Sequence, residues 1–133
     1  RGDLTVTVAR EVLAEVCQFL RDAHGFTYPI LVSGVDREEH LESVCHLGHP
    51  ADGRVVVVKA RLPLRDPRVP SITPLFAGMN WHERESFDLM GIDYVGHPDQ
   101  RRILLFDEWD DYPHPLRKEF KLRPFSAKFV VSE

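Results

Sequence analysis

The densest group of ionisable side chains in the chain is the run Asn80-Trp81-His82-Glu83-Arg84-Glu85-Ser86-Phe87-Asp88. His82 and Glu83 begin as a zinc-protease helix does, where H-E-x-x-H sets two histidines one turn apart to hold the metal and the glutamate acts as base. The fifth position here is Ser86, so the second ligand is absent. A free-standing metal-dependent hydrolase would need His82, Glu83 and the distant His97 to converge. Paired-carboxylate acid and base chemistry is disfavoured, because Glu83 and Glu85 lie two apart and diverge on a helix. His82, His97 and His114 could act as bases, but Pro follows the last two, as it does in turns without chemistry. Cys45, His46 and His49 make a poor ligand set, since successive strand residues point to opposite faces. No G-x-S-x-G, Gly-rich phosphate loop or iron-sulfur cysteine cluster occurs.

The elements that must position these residues follow from the composition and periodicity. A chain of 133 residues with 43% apolar and 29% charged residues is expected to form one globular domain with one core. Its formal net charge of -4 argues against a nucleic-acid footprint. No apolar run reaches membrane-spanning length, so membrane association is expected only through a partner. Cys17 and Cys45 lack C-x-x-C spacing and no signal peptide precedes them, which predicts reduced, packed thiols in a reducing compartment.

Leu4 to Val8 alternates as a half-buried strand, and Arg10 to His24 repeats apolar residues at helical spacing, with Gly25 as its stop. Tyr28 to Val35, His40 to Leu47 and Arg54 to Leu62 read as three strands joined by turns at 36–39 and 48–53, a meander. Val55 to Val58 is continuously apolar, as in a central strand with both faces covered. Prolines at 63, 67, 70 and 74 forbid a long helix there, and Ser71 to Thr73 is expected to form a short bridge. Asn80 then N-caps a helix from Trp81 to Met90, with Glu83 reaching back as a capping-box partner and Gly91 ending it.

On that helix Trp81, Phe87, Leu89 and Met90 point in different directions, so more than one side should be covered, and covered charges need partners. Arg84 and Asp88 are spaced to pair on the helix. The other carboxylates are expected to find cations in Arg101-Arg102 and Arg117-Lys118. From His97 to Pro124 the six acids match the six bases, which suggests ion-pair networks. Such networks either pin an irregular C-terminal segment to the domain or form a protein interface.

The run WHERESFDLMGIDYVGHPDQRRILL, followed by WDDYPHPLRKEF, resembles the signature region of the C-type subunit of proton-pumping NADH:quinone oxidoreductase, respiratory complex I. The resemblance is clear from about Val69 to Leu122. It implies an α+β domain in two layers, helices on a mixed, largely antiparallel sheet of four or five strands, with a core over about 1–95 and a Pro-rich signature and docking segment over about 96–133. It also implies a non-catalytic subunit of the hydrophilic arm, peripheral at the cytoplasmic face of the bacterial membrane. Its partners would be the D-type subunit, on which it docks, and the B-type subunit, which completes the quinone site with the D-type one. NADH, FMN, iron-sulfur clusters and quinone would belong to the complex, with no catalytic, cofactor or metal residue on this chain. The positions carried over are Glu83, Arg84, Glu85, Asp88, Gly91, Gly96, His97, Pro98, Arg101, Arg102, Pro115, Leu116, Arg117 and Lys118. Gln100 stands where the family usually has an apolar residue, and Tyr112-Pro113-His114 lengthens the link before Pro115. The same signature occurs in subunits of membrane-bound nickel-iron hydrogenases and related quinone or methanophenazine reductases, an alternative host.

Overall fold

In a computed structural model of the chain, residues 3–109 and 114–122 are described. Strand β1 (Leu4–Val8) leads through a 3-10 turn at Arg10–Val12 into helix α1 (Leu13–His24). Strands β2 (Tyr28–Asp36), β3 (His40–Gly48) and β4 (Val55–Pro63) follow, each within a residue or so of its expected bounds. They form an antiparallel meander, and β1 adds to β4 in parallel, giving the order β1-β4-β3-β2. The result is a mixed, largely antiparallel four-stranded sheet, as the family resemblance implies.

Both hairpin turns owe their shape to a local carboxylate. Asp36 Oδ1 accepts the Glu38 N–H at 2.7 Å, and Asp52 Oδ1 accepts the Arg54 N–H at 3.0 Å, so each Asp replaces a backbone acceptor in the tight bend. Glu38 takes φ +70°, a left-handed conformation that this bond helps to hold.

The sheet turns one face to the helices. Leu41, Ser43, Cys45 and Leu47 of β3 alternate toward it, in register with Leu62, Ala60, Val58 and Val56 of β4. Leu13 and Cys17 of α1 are buried against this face. Each fully buried Leu here contributes roughly 1.5 to 3 kcal/mol by leaving water. β4 is central, as its apolar run implies, but both helices lie on the same side of it. The short strands β5 (Arg68–Pro70) and β6 (Asp93–Val95) pair in parallel, joined by a 3-10 turn at Ala77–Met79 and helix α2 (Asn80–Met90). The expected bridge at Ser71 to Thr73 thus falls one step earlier in the chain. Gly34 of β2 admits the end of α2: a side chain there would press on Ile92 Cδ1 at 2.9 Å and Met90 Cγ at 3.0 Å.

The start of α2 differs from expectation. Asn80 is already helical and its N–H bonds Ala77 O, so the preceding 3-10 turn leads straight into the helix and a backbone carbonyl meets this N–H. No side-chain cap forms, and Glu83 turns inward. Gly25 and Gly91 do end their helices in the left-handed region, at φ +74° and +73°. Among the described residues no helix is long and apolar enough to cross a membrane.

Candidate functional site: the charged helix and the segments it holds

The first turn of α2 sends Glu83 into the interior, where its side chain is fully buried. Its Oε2 accepts the hydroxyls of Ser71 (2.5 Å) and Thr73 (2.8 Å), and Oε1 accepts the Ile72 N–H (2.7 Å). One carboxylate therefore satisfies three donors of a Pro-flanked segment with no ladder of its own. Burial pushes the Glu83 carboxyl up; these donors and His97 pull it back, and the balance leaves it above the usual range. His97 Nδ1 accepts the Asp99 N–H at 3.0 Å, which assigns the proton of the neutral ring to Nε2. That nitrogen faces Asn80 O at 3.1 Å and Glu83 Oε2 at 3.9 Å.

The opposite side of α2 grips the segment that follows β6. The Arg84 guanidinium donates to the carbonyls of Arg101 (3.0 Å) and Arg102 (2.9 Å). One turn on, Asp88 Oδ2 accepts three successive N–H groups, those of Ile103 (3.1 Å), Leu104 (2.8 Å) and Leu105 (2.8 Å), while Oδ1 lies 3.7 Å from the Arg102 guanidinium. Burial works to raise the Asp88 carboxyl, but these three amides and Arg102 outweigh it and hold it below the usual range.

The end of α2 holds a third segment. A helix leaves its last four carbonyls without intrahelical partners. Asp88 O accepts from His114 Nδ1 at 2.9 Å, Leu89 O from the Leu116 N–H at 3.1 Å, and Met90 O from Arg117 Nε at 2.8 Å. The His114 ring packs directly on Gly91, and Lys118 continues to the β2–β3 turn through its N–H to Asp36 Oδ2 (2.9 Å) and its ammonium to Glu38 (3.0 Å).

Of the carried-over residues, Glu83, Arg84, Asp88, Gly91, His97, Arg102 and Arg117 thus meet around α2, while Lys118 bonds the β2–β3 turn. Gly96 takes φ +84° in the turn that brings His97 back to Tyr94. Pro98 and the Arg101–Asp99 pair (2.7 Å) are exposed, as are Glu85 and Leu116; Pro115 is half-buried. Three expectations fail here. Arg84 and Asp88 do not pair with each other, because each has several backbone groups to satisfy at once. The buried carboxylates are met chiefly by N–H and O–H donors rather than cations. Trp81 is 70% exposed instead of covered. Tyr112, Pro113, Arg123 and Pro124 lie outside the described residues.

Sequence reasoning missed Ser71, Thr73 and Gln100. The first two were legible as hydroxyls bracketing Ile72 after Pro70, a pattern that offers donors to a buried acceptor. Gln100, in a usually apolar position, accepts the Tyr94 N–H at 2.7 Å and donates to Asp93 at 2.8 Å, so its amide fastens β6.

Little of this is arranged for turnover. Glu83 and His97 approach, but both side chains are sealed and hydrogen-bonded, and His82 makes none of the bonds around Glu83. Among the described residues no group of three or more His, Cys, Asp or Glu could hold a metal. A cleft of about 500 Å³ opens beside the C-terminal segment, lined by Asp36, Glu38, Leu64, Arg117, Lys118 and Glu119.

Residues 6–126 match the family described as respiratory-chain NADH dehydrogenase, 30 kDa subunit. The chain belongs to that family. Relatives of this 30 kDa subunit family include the C subunit of NADH-quinone oxidoreductase from Roseiflexus castenholzii, 41% identical over all of this chain and 78% of the relative. The corresponding C 1 subunit from Rhizobium meliloti is 44% identical over 99% of this chain and 70% of its own length. A solved structure described as Nqo5 of a trypsin-resistant fragment superposes with a TM-score of 0.68 at 34% identity, over 74% of this chain and 83% of that one. A chain from the archaeal membrane-bound sulfane sulfur reductase shares the fold, with a TM-score of 0.79 at 22% identity over 92% and 74%. Membership makes this a component of an NADH:quinone oxidoreductase of the respiratory complex I type, with partners within that complex.

Proposed function

We propose that this chain is a non-catalytic structural subunit of the hydrophilic arm, which docks on the D-type subunit beside the B-type subunit and keeps the quinone-reducing module in register. It acts as a single domain whose C-terminal segment does the docking, peripheral at the cytoplasmic face of the bacterial membrane, with NADH, FMN, iron-sulfur clusters and quinone handled by other subunits. The observation that carries this reading is the use of the signature's ionisable groups. Glu83, Arg84, Asp88 and Arg117 are each committed to backbone or hydroxyl groups of the same chain, which makes a stiff frame and leaves none of them free to bind or transform a substrate. Rigidity matters to such an enzyme because displacing reacting groups by about 1 Å can cost on the order of a hundredfold in rate.

The test is Arg117→Ala in cells whose complex depends on this chain. Incorporation of the chain and quinone reduction are expected to fall together. Normal assembly with abolished quinone reduction would give the chain a direct chemical role and overturn the reading.

A further inference from the structure

In the segments held by α2, Leu104 and Leu116 have their backbones bonded to the helix and their side chains turned outward. Leu104 gives its N–H to Asp88 yet is 61% exposed; Leu116 gives its N–H to Leu89 O yet is 58% exposed. Chain mobility does not explain this exposure, since the backbone of each residue is fixed by a short hydrogen bond to a helix. Trp81, 70% exposed on the first turn of the same helix, adds the residue type most enriched among interface hot spots.

The charges beside these residues divide by whether they are already engaged. The cations of this face are used within the chain: Arg84 on two carbonyls, Arg101 on Asp99, Arg102 on Asp88, Arg117 on Met90 O and Lys118 on Glu38. Glu85, Asp107 and Glu108 are exposed, and their side chains enter no hydrogen bond or ion pair among the described residues. The side chains left unengaged here are thus Trp81, Leu104 and Leu116 together with the carboxylates of Glu85, Asp107 and Glu108.

We infer that Trp81, Leu104 and Leu116 form the apolar centre of a protein-docking surface whose partner presents an apolar cleft rimmed by Lys and Arg. The inference rests on the docking reading above and adds its chemistry. An anionic lipid headgroup or a nucleic acid is a poor fit, because its charge would meet Glu85, Asp107 and Glu108 with the same sign. The helix frame gives the surface its affinity indirectly: it fixes the backbones of Leu104 and Leu116 beforehand, so little freedom is lost on association.

The experiment uses the full chain within its own complex. Trp81→Ser with Leu104→Ser, and separately Asp107→Lys with Glu108→Lys, are compared with the unaltered chain and with Arg117→Ala. All the surface substitutions sit on exposed side chains, so thermal unfolding of the purified chain is expected to be unchanged. The apolar pair is expected to reduce incorporation at least about tenfold, and the charge reversal to weaken it while abolishing the salt dependence of dissociation. Full incorporation of both surface variants, with Arg117→Ala still excluded, would overturn this surface while leaving the docking reading intact. An unaltered chain that co-purifies with no other subunit would overturn the docking reading itself. If the purified chain sediments as a dimer that Leu104→Ser converts to monomer, the occupant is a second copy and the proposed partner is wrong.

Discussion

The imidazole of His114 lies so close over Gly91 that a Cβ at Gly91 would overlap its Nε2 and Cδ2 atoms. Gly91→Ala meets two costs, the left-handed φ of +73° and the displaced ring. The first is worth roughly 1 to 2 kcal/mol, and the overlap adds to it, so urea unfolding should show a loss of at least about 2 kcal/mol. In a His114→Ala background the increment should shrink towards the backbone strain, with only the Arg117 guanidinium, 3.1 Å from the added Cβ, left to shift, and a double-mutant cycle would read this out.

Glu83→Gln keeps the shape of the side chain but exchanges an acceptor for a donor. Ser71, Ile72 and Thr73 then offer three donors to one remaining carbonyl oxygen. Stability in chemical denaturation should fall by roughly 1 to 3 kcal/mol, with Ser71→Ala and Thr73→Ala each costing less because neither leaves Glu83 alone.

Asp88 and Glu83 should impose opposite pH dependence. The Asp88 carboxyl lies below its unfolded value, so its stabilisation is full above the ordinary aspartate range and is lost as pH falls through the folded value. The stability difference between the unaltered chain and Asp88→Asn should therefore be largest near neutrality and shrink below about pH 4. The Glu83 carboxyl lies above its unfolded value, so its proton-linked contribution is full below the ordinary glutamate range and is lost as pH rises through the folded value. The difference from Glu83→Gln should change in the other sense over that window. Denaturation midpoints measured from acid to neutral pH check both signs.

Cys17 and Cys45 are 0% and 1% exposed, on α1 and β3. The Cys17 thiol beside it and burial push the Cys45 thiol well up, which keeps it protonated and a poor nucleophile. Thiol reagents at mildly alkaline pH should leave both unmodified in the folded chain and label both in denaturant.

The sheet and both helices were legible because period and punctuation agreed. Alternating β3, continuous β4 and the stops at Gly25 and Gly91 each carried a local signal, and the structure places them within a residue or two. What α2 does with its charges was not legible. Helical spacing brings Arg84 and Asp88 together on paper, but their actual partners are the backbones of residues 101–105, and backbone amides leave no trace in side-chain patterning. Glu83 shows the same limit from another side: its neighbours at 71–73 come from a Pro-rich stretch whose path periodicity does not describe. Trp81 was expected under cover because apolar residues all around a helix imply enclosure, and among the described residues nothing encloses it.

β1 joins the sheet against β4, with Leu4 opposite Val56, although β2 and β3 lie between them in the chain. Of these four strands, the first to leave the ribosome therefore has no neighbour to pair with until the last has been synthesised. Closing that loop costs about 3.5 kcal/mol of chain entropy, a loss the hairpins of β2, β3 and β4 largely escape. The topology therefore predicts that the β2-β3-β4 meander forms first and that β1 docks last, leaving its edge of β4 open until then.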